Sequence, residues 1–183
     1  MLIGDRAREA GPYQKSEKVS LFWGGSGCPV HPDRWFEIWN NGGTTIICFY
    51  AFIERILQDL GPGVPGRRYC FTMDNLDVHV NGAIQAMIIN AGHQIVYRAP
   101  YYPVDGAIEY IFNAIQCTLR IDLQEIQTTE DFTNCLRKII TTFPNFDTFF
   151  AHIGFFYNIN WLVVLYYCFM CSGNRDKGIF MYL

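Results

Sequence analysis

A chain of 183 residues and 21.1 kDa fits one domain, or one domain and a fragment, because single cores run to about 100–200 residues; a large multidomain enzyme is excluded. Half of the residues are hydrophobic, 16% are aromatic and only 17% are charged, which supplies a substantial core and argues against a disordered chain. The formal net charge of −3 gives no global attraction to phosphate backbones, so any nucleic-acid contact needs a local patch or a partner segment.

The opening MLIGDRAREAGPY mixes two arginines with two acids and has no apolar run. It does not read as a secretory signal, and residues 1–14 read as a loop. From Lys18, KVSLFWGGSG predicts a strand in which Val19, Leu21 and Trp23 alternate before Gly24 and Gly25 break the pattern. WFEIWN, residues 35–40, predicts a second strand. Thr44 or Thr45 then caps a helix to about Leu60, with Ile46, Phe49, Phe52 or Ile53, and Ile56 on one face. Gly61-Pro62-Gly63 stops it.

RYCFTMDN is a short apolar strand ending in Asp74-Asn75, followed by a helix from about Asn81 to Asn90 that Gly92 closes. HQIVYRAP is another strand. Pro100 and Pro103 keep the chain extended until Asp105 caps a helix over 106–120, where Ile108, Phe112, Ile115 and Leu119 form a core-facing stripe with Glu109 at its edge. A last helix starts near Thr128 or Thr129, with Phe132, Leu136, Ile139 and Phe143 on one side. Strand–helix alternation from 68 to 120 implies parallel pairing with crossover helices, and the two earlier strands imply a hairpin or meander. The fold class is α/β, a mixed sheet flanked by helices.

The composition shifts near residue 157, dividing 15–156 from a hydrophobic tail, 157–183. From Thr148 to Asn174 there are 27 residues without Asp, Glu, Lys or Arg. Three readings are open: a membrane span over about 149–172, a strand packing on the core, or a poorly folded tail. Asn158, Asn160 and His152 dilute the membrane signal. Of seven cysteines only Cys168 and Cys171 are closely spaced. Zinc needs four ligands, so free thiols in a reducing, intracellular compartment are the better reading.

Asp74 stands at the carboxyl end of a buried strand, where ligands collect in open α/β sheets. Glu109 follows after 34 intervening residues, enough chain for a helix, a strand and a return to the same sheet end. Two carboxylates meeting there could ligate a divalent ion through hard oxygens. The alternatives are a plain Asp-Asn turn and a solvated helix glutamate. His79, near the strand end, suits a structural role or the orienting of a carboxylate. Arg98 and His93 flank the following strand and Arg67 and Arg68 open the preceding one; each is a candidate phosphate contact or ordinary surface charge. Asp77 lies beyond the strand end and is the weaker ligand candidate.

The words FTMDNLDVHV and GHQIVYRAPYYPVDGAIEYIFNAIQCTLR resemble the catalytic core of mariner-type DDE transposases, DDE superfamily endonucleases with an RNase H-like fold. In that family a strand ending in Asp-Asn with a following His supplies the second carboxylate, and a Pro-Tyr-x-Pro turn before an Ile-Glu helix the third. The matching positions are Asp74, Asn75, His79, Pro100, Tyr101, Pro103, Ile108 and Glu109, at the family's spacing; Gly106-Ala107 stands where many members have Asn-Pro. The likeness covers roughly residues 15–120 and continues faintly to about 156. It implies metal-dependent cleavage and transfer of DNA strands, with Asp74 and Glu109 holding Mg²⁺ or Mn²⁺, Asn75 and His79 auxiliary, transposon-end DNA as partner, a homodimer as a further expectation and the nucleus as the compartment.

The resemblance also exposes a gap. The family's first carboxylate, which bridges two metal ions, ends a central strand that precedes KVSLFWGG, and only Asp5 follows even a token apolar run there. The chain is therefore expected to be an amino-terminally truncated domain lacking the first, central strand, and inactive alone. Loss of that strand would leave two half-sheets with unpaired edges, and WLVVLYYCFM in the tail is a candidate to fill the slot. The other expectations are a domesticated, non-catalytic DNA- or protein-binding module and a small membrane-associated protein using 149–172.

Overall fold

The structure is a computed structural model that describes residues 17–26, 34–40, 45–98, 107–122, 126, 128–142, 160–171 and 180–182. Strand β1 is Glu17–Ser26 and β2 is Arg34–Trp39, followed by helix α1, Ile46–Leu60. Then come β3 (Tyr69–Met73), α2 (Gly82–Asn90), β4 (Gln94–Tyr97), α3 (Ala107–Asp122), α4 (Thr129–Thr142), β5 (Asn160–Cys171) and β6 (Phe180–Tyr182). The architecture is mixed α/β. One sheet runs in the order β2-β1-β5-β3-β4, with β6 added alongside β5.

Local signals account for the helices. Thr45 caps α1 by accepting from the Cys48 amide, and Gly61 at φ 70° ends it. Asn81 caps α2 through the Ala83 amide. In α3, Phe112, Ile115 and Leu119 are buried together with Ile111; in α4, Phe132, Leu136 and Ile139 are buried together with Thr133 and Ile140. Asp105, Pro100, Tyr101, Pro103, Gly106 and Phe143 lie outside the described residues, as does Asp5. Ile46, expected on the buried face of α1, is exposed; that face is Phe49, Phe52, Ile53, Ile56, Leu57 and Leu60.

One face of the sheet packs on α1 and α2. Phe22, Trp35, Tyr69, Phe71 and Met73 join the α1 stripe and Ile84 and Ile88 of α2 in a single cluster, with the Phe22 ring 5.8 Å from Phe49 and 5.5 Å from Phe52. Two bonds fasten β2 to α1 on this side: Trp35 Nε1 donates to Asp59 at 2.8 Å, and Arg55 pairs with Glu37 at 2.7 Å. On the other face α3 and α4 pack on each other, with α3 reaching β5 and α4 reaching β1. There Thr133 donates to the Asn40 side chain at 3.1 Å and Arg137 lies over the Phe36 ring. Helices thus cover both faces.

Two sequence expectations change. Val19, Leu21 and Trp23 alternate as a one-sided strand would, yet every residue from Val19 to Ser26 is buried, because the sheet is covered on both faces and β1 has neighbours on both edges. Gly24 and Gly25 do not end the strand, which runs to Ser26. A Cβ on Gly25 would overlap the indole of Trp23; the glycine makes room for that ring two residues before it, on the same face of the strand.

The place between β1 and β3 is not empty. Strand β5 fills it, antiparallel to β1 from Glu17↔Cys171 to Ser26↔Leu162 and parallel to β3 from Tyr69↔Asn160 to Thr72↔Val163. The facing backbone edges of β1 and β3 are thereby paired, and the sheet does not split into halves. Beyond the end of β3, the same edge of β5 pairs with β6 over Cys168–Met170. The segment weighed as a membrane span is, over 160–171, a sheet strand. Among the described residues no helix is long and apolar enough to cross a membrane.

Candidate active site

The carboxyl ends of the parallel strands β3 and β4 form one rim. The Arg98 amide donates to the Met73 carbonyl at 2.9 Å, and the Asn75 side chain donates back to the Arg98 carbonyl. These bonds fasten the residues after β4 to the residues after β3, so Asp74 leaves the sheet at a fixed point. Its Oδ1 accepts from the Leu76 amide at 3.3 Å, a short Asx turn, and is also hydrogen-bonded to Nδ1 of His79. The Asp74 side chain remains 25% exposed, whereas His79 is fully buried.

His79 is itself held on three sides. Its amide donates to the Leu76 carbonyl at 2.8 Å, its carbonyl accepts from the Tyr97 hydroxyl at 2.9 Å, and its ring lies 4.6 Å from the Phe49 ring. Burial pushes the Tyr97 hydroxyl above its ordinary pKa, which keeps it protonated as the donor this bond needs. The sequence marks Phe49 only as part of the buried face of α1 and does not single out Tyr97; the one hint is that Tyr97 ends the strand beside Asp74's own.

Glu109 stands in the first turn of α3 and reaches the same rim through Arg98, whose guanidinium lies 3.7 Å from Glu109 Oε1. The Arg98 side chain is only 9% exposed and that of Glu109 30%. Asp74, Asn75, His79, Arg98 and Glu109 are therefore linked through one bonded set, although Arg98 enters it as a partner of Glu109 and not as an exposed phosphate contact.

The other cationic candidates lie elsewhere. Arg67, Arg68 and His93 precede β3 and β4, at the end of these strands opposite Asp74. His93 is buried; its Nδ1 accepts from the Tyr69 amide at 3.3 Å and its Nε2 bonds the Gly61 carbonyl at 3.0 Å, so neither ring nitrogen is available to phosphate. Burial lowers its pKa, against the raising effect of the Gly61 bond and with further lowering from the Arg67 and Arg68 charges. Arg67 donates to the Leu60 carbonyl at 2.7 Å, at the end of α1. Arg68 is exposed, and Asp77 is exposed in the turn after Asp74.

The register of β3 with the central strand ends just short of Asp74. Thr72↔Val163 is the last pair of the β3–β5 ladder; counting two places on along each chain, past the end of β3, Asp74 corresponds to Leu165, which β1 meets at Trp23. No acid occurs in β5. Among the described residues no three His, Cys, Asp or Glu side chains gather as a metal-ligating group. Two carboxylates offer the hard oxygens that Mg²⁺ or Mn²⁺ prefers, yet Asp74 already accepts from His79 and Glu109 already faces a guanidinium. The described residues do not fit a two-metal site. Comparison with protein-family models, with curated proteins and with solved structures finds no match.

Proposed function

We propose that this chain is a transposase-type catalytic domain of RNase H-like fold, related to the mariner-type DDE endonucleases, that keeps two of the three carboxylates and does not cut DNA by itself. The observation that carries the reading is the sheet order together with the rim: β1 and β2 antiparallel, β3 and β4 parallel, a strand between β1 and β3 antiparallel to the one and parallel to the other, Asp74 at the end of β3 and Glu109 drawn to that end by α3. In a catalytic relative the two carboxylates would hold Mg²⁺ or Mn²⁺, which supplies charge stabilisation for in-line displacement at a phosphodiester. In this chain Leu165 holds the register place where a third carboxylate would complete the set. DNA is the partner this ancestry suggests, and the nucleus its compartment. The counter-charged carboxylates favour a non-cleaving, DNA-binding role over retained catalysis.

The test supplies what is missing. Leu165→Asp, made alone and together with Arg98→Gln to release Glu109, is expected to nick supercoiled DNA in Mn²⁺, with the activity lost on adding Asp74→Asn; the unaltered chain leaves the DNA intact. Nicking by the unaltered chain, or by neither variant, overturns the proposal.

A further inference from the structure

We infer that the guanidinium of Arg98 is the resident cation of this rim, occupying electrostatically the role a divalent ion would have and holding the affinity of Asp74 and Glu109 for such ions down. The inference deepens the reading above and rests on its claim that the two carboxylates share a rim. Arg98 is placed by the backbone, not by its side chain: its amide bonds Met73 O and its carbonyl takes the Asn75 side chain. Any residue but proline at 98 keeps the amide bond, and only arginine or lysine would keep the charge. From that anchor the largely buried guanidinium reaches Glu109 Oε1 at 3.7 Å.

A permanent positive charge in a poorly hydrated place repels an approaching divalent ion more strongly than the same charge in water, because the screening is weaker. Arginine cannot lose its proton to make way. An ion would have to displace the largely buried guanidinium from Glu109 and break that ion pair, which is costly in a poorly hydrated place. On the Asp74 side the carboxylate already accepts from His79 and from the Leu76 amide through the same oxygen. The central strand brings no acid to offset these costs.

Mn²⁺ binding, read from the electron paramagnetic resonance signal of the free ion, tests the inference without any need for activity. The unaltered full chain is expected to show no saturable site below about millimolar Mn²⁺. Arg98→Gln is expected to bind one ion at least about tenfold more tightly, since one opposing charge has been removed. Arg98→Met, which keeps the aliphatic stem packed, should gain likewise if the glutamine variant folds poorly, and Arg98→Lys should behave as the unaltered chain does. Adding Glu109→Gln or Asp74→Asn should abolish the gain. Tight binding with Arg98 in place, or no gain in either uncharged variant, overturns the inference. A gain in Arg98→Gln that survives both second substitutions would instead place the ion elsewhere and sink the shared-rim reading. Nicking by Leu165→Asp alone, with no gain in Arg98→Gln or Arg98→Met, would spare the functional reading and remove only the role given to Arg98.

Discussion

His79 bonds Asp74 through Nδ1 while its buried Nε2 has no hydrogen-bond partner among the described residues, and its ring packs 4.6 Å from that of Phe49. In the neutral tautomer that donates from Nδ1 to the carboxylate, Nε2 presents only a lone pair. The chain accepts the cost of that buried acceptor to hold a partly exposed carboxylate in one orientation. His79→Ala removes a bond to a charged group and opens a cavity, for an expected loss of about 2–4 kcal/mol. His79→Phe fills the space and removes the orphan nitrogen, so its loss should be less than half as large, Asp74 turning to water instead. Urea unfolding midpoints of the two variants check this; an alanine variant as stable as the unaltered chain would show that the pair contributes nothing.

The central strand gives a second prediction. Val163 pairs with Gly25 on one side and Thr72 on the other, so a proline there removes a backbone donor in mid-sheet and imposes its own φ. Such positions do not tolerate proline, and the cost is on the order of 3 kcal/mol or more. Val163→Pro should abolish cooperative unfolding or shift it strongly downward. Were residues 160–171 a tail outside the sheet, circular dichroism melts of the variant and the unaltered chain would coincide.

Sequence order made some of this legible and hid the rest for identifiable reasons. Thr45, Gly61 and Asn81 act within a turn of their own helices, and the Phe112, Ile115 and Leu119 stripe depends only on helical period, so these could be read locally. The pairing of β5 could be read only as one candidate, through the empty slot that the resemblance implied, because its partners lie far back along the chain and an uncharged aromatic run suits a bilayer, a core strand or neither. Crossover logic gave the expectation that Asp74 and Glu109 share one sheet end, and Glu109 is tied to that end through Arg98. That Arg98 would face Glu109 depended on how α3 returns to the rim, which no spacing states. His93 looked like a surface cation because a histidine beside a strand carries no mark of burial; its two ring bonds join Gly61 and Tyr69, distant in sequence.

Gly25 tests the close approach inside β1. An alanine methyl would collide with the Trp23 ring, and Trp23 is itself fully buried with little room to turn. Overpacking of this kind costs about 1–3 kcal/mol. Gly25→Ala should lower the urea midpoint by a corresponding amount and alter the tryptophan emission, whereas Gly66→Ala, where a Cβ meets nothing but φ is 83°, should cost only about 1 kcal/mol from the left-handed backbone. Equal and negligible effects would remove the steric account of why a glycine stands within the strand.

His93 predicts how stability follows pH. The neutral ring is built in: Nδ1 must be bare to accept the Tyr69 amide, and Nε2 carries the proton given to the Gly61 carbonyl. Protonation adds a proton at Nδ1 and breaks the first bond. Because burial lowers the folded-state pKa, the unfolded chain binds more protons than the folded chain as pH falls below the ordinary histidine value of about 6.5. The stabilisation is thus fully present above that value and is lost on acidification toward the folded pKa. Unfolding free energy measured between about pH 7.5 and 5, above most carboxylate titration, should decline with falling pH, and the decline should be shallower in His93→Gln, which lacks the titrating ring. Parallel pH profiles for the two proteins would show that the Gly61–His93–Tyr69 link is not the source of the acid sensitivity.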